Sequence, residues 1–362
     1  MTIGLHGRLR AIFLNASIVL LPLWGCGPPV ANTDTGILPV PGTPDSIASA
    51  LRHINARIVQ DPDRPELYVQ RAVHFGALDS VAPAIRDMER AVRLDSTNVT
   101  YRLMLGDLYY RIVEVDQAMA SFTKASQIDP SNTQALLKRA EIHLVLRKYN
   151  ESMALVNEAL RKDPNVAHGY YLKGWIHMEV RDTALALSSL RTAVEQDPND
   201  YRSYLLLGSL SAARKDPLAV QYYSTAVNLR PNSVEALYAL GLAYQESGRD
   251  SLALAIYDRI KELDHANALP WYNSGYIHME HRNDDARARI EFSKAIELEP
   301  QYADAWYNRG VIMERATELD SAAANYQMAI LIQPQHQLAA EGLDRLAGQG
   351  VRIKIREQRD RK

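Results

Sequence analysis

The residues in this sequence that are best suited to bind a metal ion are His278 and His281, which stand three positions apart. On a helix that spacing places both imidazoles on one face, where they could share a zinc ion. His278, however, occupies the same position of an internal repeat as His143 and His177. A side chain that recurs at one repeat position is better explained by packing, so we expect no metal site here.

Other arrangements with catalytic potential are missing from the sequence. It contains no glycine-rich loop that cradles phosphate, no nucleophile elbow and no HExxH helix. Its single cysteine cannot form an internal disulfide or supply four-thiolate zinc or iron–sulfur ligation. We therefore expect a protein that is not an enzyme, with no catalytic residue, no cofactor and no small-molecule substrate.

An amino-terminal segment of different character ends at that cysteine, Cys26. His6, Arg8 and Arg10 precede an apolar run over residues 11–24, an order that is typical of a secretory signal. The run is shorter than the roughly 20 apolar residues that a helix needs to span a bilayer. The pattern therefore predicts a signal peptide rather than a permanent membrane span.

The residues just before Cys26 resemble the lipobox of bacterial lipoproteins, although the bulky Trp24 departs from the small residue usual there. This resemblance implies a signal peptide at residues 1–25 and acylation of Cys26, which would anchor the protein to a membrane of the bacterial cell envelope. Gly27, which follows in place of an aspartate, favours the periplasmic side of the outer membrane. The alternatives are an ordinary cleaved signal of a secreted protein, a signal anchor, and a soluble cytoplasmic protein whose first residues are misread.

The overall composition excludes several classes of protein. Of 362 residues, 47% are hydrophobic and 23% are charged, which argues against disorder and against a multi-span membrane protein. The formal net charge of −2 offers none of the positive surface that binds a phosphate backbone, so we expect no nucleic-acid partner.

A helix breaker recurs along most of the chain at a nearly constant spacing of 34 residues. One interval is 33 residues, with the deletion expected near 215–217, and one is 35, with the insertion expected near 283–285. Both sites are predicted to be turns between helices, where length changes are tolerated. The breakers are Pro62, Pro130, Pro164, Pro198, Pro231, Pro300 and Pro334, and Ser96 and His265 stand at the two points where a breaker is missing.

Within the repeats, small and large residues recur at fixed positions. Positions 8 and 20 are small in every repeat, so we expect two helices that cross closely, beside a bulky residue at position 24. Position 8 is Ala72, Gly106, Ala140, Gly174, Gly208, Gly241, Gly275 and Gly310. Position 24 is Met88, Phe122, Val156, Leu190, Tyr223, Tyr257, Phe292 and Tyr326.

These residues resemble the pattern of the tetratricopeptide repeat family over roughly residues 65–336. The chain departs from the family at position 11, usually tyrosine, where three repeats carry the histidines named above. The resemblance implies an all-α fold: an α-solenoid, or right-handed superhelix, of about eight helix-turn-helix repeats with a capping helix at each end. It also implies a non-catalytic scaffold for protein–protein interaction, similar in layout to repeat lipoproteins that assist the assembly of envelope complexes.

The predicted organisation follows from these patterns. Its parts are a lipoprotein-type signal peptide (1–25), a Pro-rich tether (26–44), an amino-terminal capping helix (45–64), eight repeats (65–98, 99–132, 133–166, 167–200, 201–233, 234–267, 268–302 and 303–336), a carboxy-terminal capping helix (337–347) and a basic tail (348–362). The repeats are numbered 1 to 8 in this order below.

The family binds a protein or peptide partner in a concave groove lined by the first helix of each repeat. When the groove positions of the family are carried over to this chain, the resemblance implies a stripe of aromatic side chains beside a stripe of acidic ones. Such a groove favours a partner segment that is basic or neutral. Asn273 and Asn308 resemble the rungs of an asparagine ladder that grips an extended peptide backbone. The alternative is that the tyrosines pack against the next repeat and the glutamates are solvated. The predicted groove residues are Tyr171, Trp175, Glu179, Tyr238, Glu246, Tyr272, Asn273, Tyr276, Glu280, Tyr307, Asn308 and Glu314.

If Cys26 carries the membrane anchor, its replacement by alanine should move the protein from the membrane fraction to the soluble fraction, because the acyl chains would have no attachment site. The measurement is cell fractionation followed by immunoblotting. Serine in place of Trp24, a residue closer to the lipobox pattern, is the control and should leave the protein in the membrane fraction. An unchanged distribution of the Cys26→Ala protein would refute the anchor.

Overall fold

The computed structural model of this chain describes residues 44–352. The predicted signal peptide, Cys26, the tether up to residue 43 and the tail from residue 353 lie outside the described residues. Within the described range, no helix is both long enough and apolar enough to cross a membrane.

The regular structure of residues 44–352 is entirely helical, so the predicted all-α repeat fold is confirmed. The helices are α1 (Pro44–Gln60), α2 (Pro65–Ala77), α3 (Val81–Leu94), α4 (Val99–Arg111), α5 (Val115–Ile128), α6 (Thr133–Val145), α7 (Tyr149–Lys162), α8 (Ala167–Glu179), α9 (Thr183–Gln196), α10 (Tyr201–Ala213), α11 (Leu218–Leu229), α12 (Val234–Glu246), α13 (Asp250–Leu263), α14 (Leu269–Tyr276), α15 (Asp285–Leu298), α16 (Ala303–Arg315), α17 (Leu319–Ile332) and α18 (Gln337–Gly348). A π-helical turn, Ile277–His281, continues α14.

The chain divides after Pro130 into two compact bodies. The first body contains α1 and repeats 1 and 2, and the second contains repeats 3 to 8 and α18. We call the first helix of each repeat its A helix and the second its B helix. In both bodies each A helix packs most extensively on its own B helix, and the B helix then contacts the next A helix of the same body. Each repeat therefore completes its core with its neighbours.

The helix boundaries follow from capping residues and breakers. The side chains of Asn98, Asn132 and Ser233 accept a hydrogen bond from a backbone N–H in the first turn of α4, α6 and α12. At the other end, α5 and α7 each stop at a C-cap aspartate that precedes Pro130 or Pro164. Proline disfavours helical backbone in the residue before it, so each Asp-Pro pair ends a B helix.

Every repeat makes its sharp A-to-B turn with one residue at positive φ. Seven repeats place it at position 15, for example Arg147, Lys215 and Gly248, with φ values of 58°, 56° and 71°. In repeat 7 the equivalent residue is Asn283, at position 16, with φ 50°. The extra residue of this repeat therefore lies before the turn.

The π-helical turn accommodates that extra residue. Its hydrogen bonds run from residue i to i+5, which fits one more residue into the A helix before the turn begins. The prediction that the insertion lies near 283–285 is therefore wrong. The deletion in repeat 5 does lie close to its predicted site, because α11 has 12 residues, starts only at Leu218 and follows an N-cap proline, Pro217.

The crossing of the A and B helices depends on glycine at position 8. A Cβ atom built on Gly106, Gly208 or Gly241 would lie 2.4–2.6 Å from the ring at position 24 of the same repeat. The nearest neighbour of position 8 is thus the bulky side chain at position 24, rather than the small residue at position 20. Absence of a side chain on the A helix makes room for the largest side chain of the B helix.

Helices at both ends of the described range pack on these repeats. Ile47 and Ile54 of α1 are buried, and α1 packs on α2. At the carboxyl end, Ala339 and Leu346 of α18 join the apolar cluster around Tyr326 of α17. Both helices cover an apolar face that has no further repeat to pack against.

Replacing Gly208 with alanine should lower the free energy of unfolding by about 1–3 kcal/mol, because the new methyl group would overlap the ring of Tyr223. Gly76→Ala is the control, since a Cβ on this helical glycine meets nothing within 4 Å. Alanine there should leave stability unchanged or raise it by up to about 1 kcal/mol. Urea denaturation followed by circular dichroism measures both, and equal effects would contradict this packing.

Candidate functional site

The predicted groove residues all lie on A helices of the second body, or on the π-helical turn that continues one of them. We call the surface formed by α8, α10, α12, α14 and α16 the A-helix face. Neighbouring A helices touch directly: α8 and α12 both contact α10. Asn273 of α14 reaches Tyr238 of α12, and Asn308 of α16 reaches Tyr272 of α14. Side chains of consecutive repeats therefore meet on this face.

The twelve predicted residues differ in how much surface they offer. Tyr171, Asn273 and Asn308 are buried. Glu246 and Glu280 are exposed. The half-buried residues, which keep part of their surface accessible, are Trp175, Glu179, Tyr238, Tyr272, Tyr276, Tyr307 and Glu314.

Tyr171 does not have the surface that the sequence predicts for a partner contact. It is only 1% exposed, and its ring stacks on His168 with the centroids 5.6 Å apart. Trp175 packs against the ring of Tyr171, and the guanidinium of Arg202 lies 4.4 Å from the centroid of the Tyr171 ring. The ring is covered because its neighbours in two consecutive repeats close over it, so Tyr171 supports the face rather than presenting itself on it.

The two asparagines make hydrogen bonds inside the protein. The Nδ2 atom of Asn273 donates to the hydroxyl of Tyr238 at 3.1 Å, and Nδ2 of Asn308 donates to the hydroxyl of Tyr272 at 3.2 Å. Each bond joins one repeat to the next. The predicted ladder is therefore corrected: these amide groups hold tyrosines. Each tyrosine oxygen accepts a bond, which leaves its own hydroxyl proton available to an acceptor on a partner.

Much of the predicted acidic stripe is neutralised by arginines of the following helices. Glu280 pairs with Arg315 of the next repeat at 3.2 Å. Glu314 pairs with Arg345 of α18 at 3.0 Å and also accepts a hydrogen bond from Tyr326. Burial alone would raise the pKa of Glu314, but these hydrogen bonds outweigh it and lower the pKa. The face is therefore less acidic than its glutamates suggest.

Three further residues shape the face, and of these Arg345 and Tyr302 carry no sequence pattern that places them in the groove. Arg315 and Arg345 neutralise the glutamates, and the ring of Tyr302 lies 4.6 Å from that of Tyr272. A usable signal existed for the two ion pairs, because each arginine follows its glutamate by roughly one repeat length. Tyr302 precedes α16 and carries no repeat signature that would have marked it.

The histidine pair lies on the π-helical turn, and its two rings have different surroundings. His278 is 6% exposed, and its Nδ1 atom is buried without a hydrogen-bond partner. His281 lies further along the turn, with Nδ1 2.8 Å from Oδ1 of Asp250. Within residues 44–352 there is no cluster of three or more His, Cys, Asp or Glu side chains arranged to hold a metal ion.

His168 is the most strongly perturbed histidine near this face. Arg202 donates from Nη2 to Nδ1 of His168 at 3.0 Å, an arrangement that requires an unprotonated Nδ1. Burial, and then the charge of Arg202, lower the pKa of His168 to about 3. Burial likewise lowers the pKa of His143, His177 and His278. These imidazoles are therefore neutral at physiological pH.

Family models of the tetratricopeptide repeat match most of this chain. Three models described as tetratricopeptide repeats match residues 70–133, 113–176, 171–218, 235–264 and 280–337, and one described as a TPR repeat matches 215–248. Together the matches cover residues 70–264 and 280–337, which is more than half of the chain.

Curated proteins resemble shorter parts of the sequence. Protein O-mannosyl-transferase TMTC3 of Homo sapiens is 29% identical over 101 residues, which are 28% of this chain and 11% of that protein. Tetratricopeptide repeat protein 8 of Caenorhabditis elegans is 27% identical over 119 residues, 33% of this chain and 24% of that protein. The chain thus spans no more than about a quarter of the length of these relatives.

A likeness in fold extends over more of the chain. One chain from the crystal structure of the APC/C hetero-tetramer Cut9–Hcn1 superposes with a TM-score of 0.51 and 14% identity, covering 83% of this chain and 59% of that one. At such low identity the likeness concerns the fold alone.

The histidines whose pKa is lowered should make the protein sensitive to mild acid. The pKa of His168 is lower in the folded state than its usual value of about 6.5, so the unfolded state binds more protons as the pH falls below 6.5. Its contribution to stability is complete above that pH and is lost as the pH falls toward about 3. The free energy of unfolding should therefore decrease between pH 7 and pH 5, before most carboxylates titrate.

His168→Gln should reduce that decrease by about 2 kcal/mol, because glutamine keeps an acceptor for Arg202 but does not titrate. The exposed His265 provides the matched control, His265→Gln. Urea denaturation at both pH values measures the change. An identical acid response in the two variants would show that His168 is not the responsible group.

Proposed function

This chain belongs to the tetratricopeptide repeat family, and from that membership we propose that it is a non-catalytic scaffold that holds a protein or peptide segment against its A-helix face. The observation that carries this proposal is a run of partly exposed aromatic side chains on that face. Trp175, Tyr238, Tyr276 and Tyr307 keep accessible ring surface in repeats 4, 6, 7 and 8. Aromatic rings are frequent anchors of protein interfaces because they offer large contact area at low cost in conformational entropy.

The charges on the face favour a partner segment of low net charge. Glu280 and Glu314 each have an arginine partner, so a basic segment would gain little additional attraction there. The hydroxyl protons of Tyr238 and Tyr272 provide donors in consecutive repeats, which suit backbone carbonyl groups of an extended chain. We therefore propose an uncharged or mildly charged extended segment, bound mainly by aromatic contacts and backbone hydrogen bonds, with weak dependence on salt.

We propose in addition that the scaffold is tethered to a membrane of the bacterial cell envelope through acylated Cys26, on the periplasmic side of the outer membrane. This proposal rests on the signal-like residues 1–25 and on the lipobox resemblance. The Pro-rich tether at residues 26–44 would then separate the repeats from the lipid surface. An envelope scaffold of this layout suits the assembly of other envelope proteins.

Photo-crosslinking in cells tests the binding face. A benzoylphenylalanine residue at Tyr276, which is partly exposed on the face, should capture one protein reproducibly when the cells are irradiated. The same residue at Arg191, exposed on the B helix α9, is the control and should not capture that protein. Mass spectrometry identifies the product and shows whether it is an envelope protein. The same background at both positions would contradict the proposed face.

A further inference from the structure

The A-to-B turns of repeats 3, 4 and 5 carry an unusual accumulation of positive charge. We call residues 145–148, 180–182 and 213–216 the basic turn edge. All its cations are exposed, and within residues 44–352 none of them lies within 4.0 Å of a carboxylate. The five cations are Arg147, Lys148, Arg181, Arg214 and Lys215.

Some turn residues elsewhere in the same body have an acidic partner on the preceding repeat. Arg315 pairs with Asp285 at 3.1 Å, and His281 contacts Asp250 at 2.8 Å. In both pairs the arginine or histidine lies at the end of one A helix or its π-helical continuation, and the aspartate lies at the start of the preceding B helix. These contacts also establish that the turns of consecutive repeats are neighbours. The five cations of the basic turn edge have no such partner among the described residues.

The carboxylates nearest in sequence to these cations have other partners. Asp182, the N-cap of α9, accepts a hydrogen bond from the backbone N–H of Leu185, and Asp216, which precedes the N-cap Pro217 of α11, accepts one from that of Leu218. Glu179 accepts from the side chains of Tyr149 and Trp175. None of these carboxylates therefore forms an ion pair with a cation of the edge.

Aliphatic side chains stand beside these cations in water. Val145, Leu146, Val180 and Leu185 are 47–51% exposed, and they belong to repeats 3 and 4. A single exposed aliphatic side chain is ordinary, but three stand at the carboxyl ends of α6 and α8 and Leu185 stands in the first turn of α9; we call these four the aliphatic strip. Leu146 directly precedes Arg147 in the sequence, and Val180 directly precedes Arg181.

We propose that the basic turn edge docks on an anionic lipid surface. Lysine and arginine side chains would contact lipid phosphates, and the aliphatic strip would enter the headgroup region, a combination typical of interfacial membrane contacts. A nucleic acid would satisfy the cations but would leave the aliphatic strip without a partner. The proposal rests on neither the A-helix face nor acylation of Cys26, and it would orient the scaffold with its turns toward the membrane.

Vesicle co-sedimentation tests this surface in the full-length chain carrying Cys26→Ala, so that no acyl group contributes. Vesicles of phosphatidylcholine are compared with vesicles in which about one third of the lipid is phosphatidylglycerol. The measured quantity is the increase in affinity that phosphatidylglycerol causes. Each basic residue near an anionic surface contributes roughly 1 kcal/mol, so the double variant Lys148→Glu/Arg214→Glu should reduce this increase at least tenfold.

The control variant is Arg161→Glu/Arg191→Glu, which makes the same change in net charge on the B helices of repeats 3 and 4. It should keep most of the increase. Equal losses in the two charge variants would overturn the proposal, because net charge rather than the turn edge would then determine binding. Absence of any preference for phosphatidylglycerol in the parent protein would overturn it as well.

A second variant, Leu146→Ser/Val180→Ser, tests the aliphatic strip while leaving every charge in place. It should weaken binding to phosphatidylglycerol vesicles several-fold and leave binding to heparin, a polyanion without acyl chains, unchanged. If the serine variant binds vesicles as well as the parent does, the edge is a general polyanion site and the lipid assignment is wrong. Circular dichroism spectra identical to that of the parent establish that each variant is folded.

Discussion

The close approach of the A and B helices within each repeat is the contact on which the rest of the structure depends. At Gly106, Gly208 and Gly241 the A helix has no side chain, and the ring at position 24 of the B helix occupies that space. This contact sets the distance between the two helices, and each repeat then packs on the next through the faces that remain. Everything on the A-helix face and along the turns is positioned by this repeated crossing.

The same stacking determines which polar groups remain available. Side chains one repeat apart come within hydrogen-bonding distance, so Asn308 reaches Tyr272 and Arg315 reaches Glu280. Groups that look free in the sequence therefore satisfy one another across repeats. The A-helix face keeps partly exposed aromatic surface and oriented hydroxyl groups. These groups suit contact with a partner chain of low charge better than attraction of a highly charged one.

Charges along the turns follow a different arrangement in different repeats. Arg315 in repeat 8 forms an ion pair with Asp285 of the preceding repeat, whereas the five cations in the turns of repeats 3 to 5 have no carboxylate partner among the described residues. A solenoid gives two long surfaces, a helix face and a turn edge, and mutations in one need not disturb the other. Partner binding and membrane contact can therefore be assigned to separate surfaces of one chain.

The repeat period, the helix pairs and the small residue at position 8 could all be predicted from the sequence, because they depend on local breakers and on a pattern repeated along the chain. The prediction for the insertion in repeat 7 is wrong, because the sequence cannot distinguish a longer turn from a π-helical turn. The positive φ of Asn283 shows that the extra residue precedes the turn. Likewise, burial of Tyr171 and pairing of Glu314 with Arg345 depend on contacts between repeats. The sequence determined which side chains line the A helices; only the tertiary structure decided which of them are free, because availability depends on neighbours one repeat away.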